Sequence, residues 1–150
     1  MTFPEPPYTG ACLCGAVQIR VAVSPLLTMA CHCRDCQKLS ASAYTLTTMF
    51  PRGGFSCTGD LVRGGLGSGG RVHFFCKSCL NFVYSQIGGT SERINLRTSM
   101  LEQAASFEPF VEVMTDEKMP WAHVPTIHSY PRFPESQEEL QSLMDSYSTR

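Results

Sequence analysis

Between Val17 and Val23 the chain alternates: Val17, Ile19, Val21 and Val23 are apolar, with Gln18, Arg20 and Ala22 between them. A period of two puts the four apolar residues on one face of an extended chain, which predicts a half-buried strand. Tyr44–Phe50, rich in β-branched and aromatic residues, is a second predicted strand, and Arg71–Phe75, Asn81–Ile87, Ile94–Arg97 and Phe110–Met114 are further ones. Helical spacing is rarer. Arg34–Ser40 suits one short helical turn. The tail from Ser136 combines a Ser136/Glu139 capping box with Leu140, Leu143, Met144 and Tyr147 at helical spacing. Prolines punctuate the rest: Pro4, Pro6 and Pro7 make Phe3–Tyr8 an extended arm, and Pro120, Pro125, Pro131 and Pro134 make residues 120–134 an irregular surface wrap. Five of the seven residues 64–70 are glycine, which predicts a flexible loop; no Gly-Lys-Ser/Thr follows, so it is not a phosphate loop. Many short strands and few helices predict a mostly β fold, with one domain over residues 1–134 and a helical tail, 135–150, packed on it.

Composition narrows the class. At 150 residues with 43% hydrophobic and 17% charged side chains, the chain can bury a real core. No apolar run approaches the roughly 20 residues of a membrane span. The opening residues lack a basic n-region and an apolar h-region, so they do not resemble a secretory signal, and a cytoplasmic, reducing setting is expected. A net charge of -1 and a pI of about 6.4 argue against a nucleic-acid binder. Charge is unevenly spread: residues 31–100 carry eight Lys/Arg against three Asp/Glu, and residues 101–150 three against nine. Either the two surfaces partly compensate each other, or the cysteine-bearing half attracts an anionic small molecule.

Eight cysteines change the picture most. In a reducing setting, clustered cysteines serve as metal ligands more often than as disulfides. Cys12 and Cys14 form a C-x-C, Cys76 and Cys79 a C-x-x-C after a predicted strand, and Cys31, Cys33 and Cys36 fall within six residues. Two short knuckles from separate segments supply the four thiolates of a closed structural zinc site, so Cys12, Cys14, Cys76 and Cys79 are its candidate ligands. The alternative, a redox C-x-x-C, calls for a helix after the motif, whereas Leu80–Tyr84 looks extended. Cys31, Cys33 and Cys36 can hold one zinc with a fourth position open, the arrangement of catalytic zinc, unless Cys57 closes it. His32 falls between ligands and suits packing beside them. His73, between Val72 and Phe74, suits a satisfied strand position, and nothing brings His123 or His128 to a metal.

Gly10–Val17 with its C-x-C, Cys31–Lys38 (CHCRDCQK) and Arg71–Cys79 (RVHFFCKSC) resemble the glutathione-dependent formaldehyde-activating enzyme family, also called the GFA or centromere-protein-V family. Pro120-Trp121 resembles a recurring element near the family's C-terminal end, and the likeness spans roughly residues 8–125. The resemblance implies an Mss4-like fold of zinc-bound β-sheets. It also implies a structural zinc on Cys12, Cys14, Cys76 and Cys79, and a reactive site at Cys31, Cys33 and Cys36. One departure stands out. The family usually has glycine after its C-x-x-C, where a knuckle favours a left-handed residue. Here Leu80 occupies that place, with Asn81 the alternative residue for the turn in a shifted knuckle.

The activity the resemblance implies is that of a carbon–sulfur lyase of the S-(hydroxymethyl)glutathione synthase type. Its partners would be glutathione, as the small thiol, and formaldehyde or a related small electrophile. Cys31, Cys33 and Cys36 would carry the reactive metal, and Arg34, Lys38, Arg52 and Arg71 are candidates to hold glutathione's carboxylates. Two other readings stay open: a relative acting on another electrophile or thiol adduct, and a non-catalytic zinc module that binds glutathione or a protein. The Leu140, Leu143 and Met144 stripe suits packing on this chain or on a second copy in a homodimer.

Overall fold

The structure is a computed structural model that describes residues 3–65, 70–87 and 92–150. Among these residues the chain forms two sheets. The smaller is antiparallel, in the order β1 (Tyr8–Ala11), β2 (Gln18–Val21), β5 (Phe55–Thr58). The larger has eight strands, in the order β11 (His128–Ser129), β10 (Val111–Val113), β3 (Leu27–Cys31), β4 (Thr45–Pro51), β9 (Arg93–Arg97), β8 (Phe82–Ile87), β7 (Arg71–Cys76), β6 (Leu61–Gly64). β10 runs parallel to both of its neighbours, and the other pairings are antiparallel. No helix among the described residues is long and apolar enough to cross a membrane.

The alternation that predicted β2 works as expected: Val17, Ile19 and Val21 are buried while Gln18 and Arg20 face solvent. They pack with Tyr8 of β1 against Phe50, Ile94, Leu96 and Val83 of the large sheet, so one core lies between the two sheets. A second core gathers Leu27, Met49, Val111 and Val113 with Leu143 and Tyr147 of the C-terminal helix, α2 (Gln137–Ser148). The predicted cap is present, Ser136 Oγ accepting from the Glu139 amide at 3.1 Å, while the Glu139 carboxylate takes the Glu135 amide. Tyr147 then shares a 2.6 Å hydrogen bond with Thr28, continuing through Thr48 to Thr98 as a chain of buried hydroxyls.

Several strands were not foreseen. β3 is buried on both faces, so Leu27–Cys31 lacks the alternation that betrays a half-buried strand. β5 and β6 are four residues each and half-exposed. β11 lies inside the proline-rich wrap: Pro125 and Pro131 flank His128 and Ser129 and leave their amides able to pair. The middle of the glycine-rich loop, residues 66–69, lies outside the described residues.

Candidate metal and thiol site

The first cysteine cluster joins the two sheets. Cys12 follows β1, and Cys76 ends β7. The thiols of Cys12, Cys14, Cys76 and Cys79 all lie within 4.8 Å of one another. Cys12 Sγ is 3.6 Å from Cys14 Sγ, which is 3.8 Å from Cys76 Sγ. Zinc–sulfur bonds of about 2.3 Å span a tetrahedron with edges of about 3.8 Å, so these four residues fit a closed tetrahedral site. Backbone amides of Val17 and Cys79 point at Cys12 Sγ and Cys76 Sγ, at 3.3 and 3.5 Å. Burial works to raise the Cys12 thiol, but the Val17 amide and the thiols of Cys76 and Cys14 outweigh it and hold Cys12 at about 6.

Leu80 closes the second knuckle in its own place. Its φ is +59°, the left-handed conformation that glycine adopts at least cost, and its amide donates to Cys76 O at 2.8 Å. The shifted turn at Asn81 is not used. Asn81 instead accepts the Leu13 amide on Oδ1 at 3.0 Å, tying the two knuckles together.

The second cluster sits at the β3–α1 junction, α1 being Arg34–Ser40. The thiols of Cys31, Cys33 and Cys36 lie within 4.8 Å of one another. Cys33 is the N-cap of α1, its sulfur accepting the Cys36 amide at 3.2 Å, so the helix start itself gathers two of the thiols. Hydrogen bonds from Cys31 and Cys33, with the charge of Arg97 nearby, hold Cys36 down at about 3, and Cys31 is pushed up in exchange. Three close thiols cannot all ionise unaided, and a cation among them removes that conflict. Both clusters therefore fit a thiophilic ion such as zinc. Cys57 does not close the second cluster: it lies on β5, opposite Ile19 in the small sheet, and packs with the core that contains Cys12.

His32 is fully buried between Cys31 and Cys33, and its Nε2 meets Glu112 Oε2 at 2.8 Å. Glu112 also accepts from Lys118 Nζ and Ser129 Oγ, each at 3.0 Å. Gln37 Nε2 donates to His32 O at 2.8 Å and to Glu117 O at 3.0 Å. The loop that carries the thiols is thus pinned from 80 residues away.

One face of the large sheet opens beside this cluster into a cavity of about 400 Å³. Strand register builds its floor in rows. Val113, Cys31 and Thr45 face one another across β10, β3 and β4. Val111, Met29, Thr47 and Arg97 form the next row, and Leu27, Met49, Asn95, Ser85 and His73 the third. Cys36, Arg71 and Arg93, with Glu135, Ser136 and Gln137 of the tail, add to the polar lining. Thr45 Oγ1, His73 Nδ1 and Arg97 Nε are buried without a hydrogen-bond partner among the described residues. Burial, and then the charges of Arg97 and Arg71, lower the His73 pKa; burial alone lowers Arg97 to about 10, against the thiols of Cys36 and Cys31.

The predicted anion-binding residues scatter. Arg71 lines the cavity; Arg34 and Lys38 line a separate shallow depression with Trp121; Arg52 is exposed on the turn after β4. Arg97, Arg93, Asn95 and His73 were not singled out as site residues. A signal existed, since Arg93, Asn95 and Arg97 alternate with the fully buried Ile94 and Leu96, a cationic face behind an apolar one.

The chain is mostly β, with a four-thiol cluster joining its two sheets and a three-thiol cluster beside a cavity lined by arginines, each of which could hold a metal ion. The family model described as "Glutathione-dependent formaldehyde-activating enzyme" matches residues 7–117, and the chain belongs to that family. Among solved structures it is similar to a crystal structure of a Rhodobacter sphaeroides protein, with 22% identity and a TM-score of 0.52 over 63% of this chain and 87% of that one, a likeness of fold. None of the curated proteins compared with it matches.

Proposed function

We propose that the protein is a zinc-dependent carbon–sulfur lyase of the S-(hydroxymethyl)glutathione synthase type, joining glutathione to formaldehyde or a related small electrophile. The observation that carries this reading is the juxtaposition of Cys31 and Cys36 with Arg71, Arg93 and Arg97 in one cavity. A zinc ion held by Cys31, Cys33 and Cys36 would supply the charge that keeps a substrate thiol ionised near neutral pH. The arginines bind the two carboxylates of glutathione and fix its sulfur near the cluster, converting an encounter in solution into an oriented one. Carbon–sulfur bond formation opens the carbonyl π bond, and the proton lost from sulfur ends on the new hydroxyl. Cys12, Cys14, Cys76 and Cys79 hold a second, structural zinc. None of the eight cysteines is paired in a disulfide, which fits a cytoplasmic setting.

Zinc content per chain, followed by exchange NMR of glutathione with formaldehyde, tests the reading. The expected result is two zincs per chain and interconversion faster than the uncatalysed reaction, with one zinc and the acceleration lost together in Cys33→Ser. An uncatalysed rate with full zinc, or unchanged turnover in Cys33→Ser with one zinc gone, would overturn it.

A further inference from the structure

The cavity has an apolar side that includes residues of the C-terminal tail. The tail lines one side of it: Phe133, Pro134 and Leu140 contribute apolar surface beside the polar Glu135, Ser136 and Gln137, and the Arg71 guanidinium lies 5.9 Å from the centre of the Phe133 ring. Leu143 is buried and holds the helix to the sheet, whereas Leu140 is only half-buried and Phe133 is 43% exposed. Met29 of β3 and Leu39 of α1 are likewise half-buried and line the same space. Met29 and Leu140 pack in part against the second core, and all four side chains still present apolar surface to the cavity. Glutathione is polar along its length, and formaldehyde has a single carbon with no chain to bury. The tail also lies beyond residue 117, where the family match ends.

We infer that the C-terminal segment makes this cavity selective for thiol adducts with an apolar substituent, those of longer-chain or aromatic aldehydes, in preference to the formaldehyde adduct. The inference rests on the glutathione reading above and names its electrophile class. Cations on the sheet hold the carboxylates of the thiol, the cluster marks the position of its sulfur, and the substituent on sulfur runs under Phe133 and Leu140 against Met29. Each methylene moved from water onto that wall contributes favourably, so affinity rises with chain length.

S-methylglutathione and S-hexylglutathione, stable thioethers that resemble the adducts, are titrated calorimetrically into the zinc-loaded full chain. The hexyl compound is expected to bind at least tenfold more tightly than the methyl compound. Leu140→Gln and Phe133→Ala are each expected to cut that ratio threefold or more; Phe133 is partly exposed, so its truncation spares the core. Equal affinities for the two compounds would overturn the inference and leave the glutathione reading standing. A ratio that neither variant changes would overturn the assignment to the tail. Binding of neither compound would overturn both.

Discussion

Glu112 is the most informative residue to remove outside the cavity. Its carboxylate accepts from His32, Lys118 and Ser129 at 2.8, 3.0 and 3.0 Å, and its side chain is only 10% exposed. In Glu112→Ala, Lys118 can turn to water, being 22% exposed, but His32 has no such recourse at 0%. Leaving a buried donor unpaired costs about 1–3 kcal/mol, and losing the Lys118 and Ser129 bonds as well puts the expected loss near the upper end, about 3 kcal/mol. For a chain of this size that lowers Tm by about 10 °C. Glu112→Gln keeps the shape and one acceptor oxygen, with an expected loss of about 1–2 kcal/mol. Burial opposes ionisation of Glu112, but Lys118, His32 and Ser129 outweigh it, so its folded pKa lies below the ordinary 4.5. Its contribution is therefore complete above about pH 4.5 and lost as pH falls from there through the folded value. The gap between the native chain and Glu112→Gln should narrow over the same range. Urea unfolding from pH 7 to 3 measures both effects. A Glu112→Ala change under 0.5 kcal/mol, a bound on the order of an ordinary surface substitution, would refute the reasoning. A gap that stays constant on acidification would do so as well.

Three further outcomes are expected. Ala41, exposed at φ +50° after α1, is strained without compensating burial; Ala41→Gly should raise stability by about 0.5–1 kcal/mol and Tm by about 2 °C, read by thermal melting. A Cβ on Gly10 would overlap the Met100 carbonyl where β1 bridges to Leu101, so Gly10→Ala should lose about 2–3 kcal/mol in urea titration. Tyr147→Phe removes the 2.6 Å bond to Thr28 inside the second core, and chemical unfolding should report a loss of about 1–2 kcal/mol.

Patterns local in sequence were legible: the alternation of β2, the seven residues of α1 and the Ser136 cap all appear where their residue spacing put them. Grouping the cysteines needed only short spacings and the chemistry of zinc, and the two thiol clusters have the predicted members. What could not be read was register. Arg97 meets the cavity because it stands opposite Thr47, two rungs along β4 from Thr45 and Cys31, and His73 because Ser85 and Asn95 carry its row across two strands. Such neighbours are fixed by pairings that no local pattern encodes. For the same reason Arg34 and Lys38, adjacent in sequence to the thiols, end on a different surface: α1 turns their side chains outward.

The knuckle cluster has a mechanical side. Cys14 and Cys76 stand 62 residues apart in sequence and 3.8 Å apart in space, one beside the small sheet and one on the large. A cross-link closing a loop of that length removes about 4 kcal/mol of chain entropy from the unfolded state. A metal holding both knuckles imposes the same restraint, but its release follows thiol protonation and competing chelators instead of reductant. With a metal bound there, the two sheets would be fastened by a joint that reductant leaves closed and acid opens.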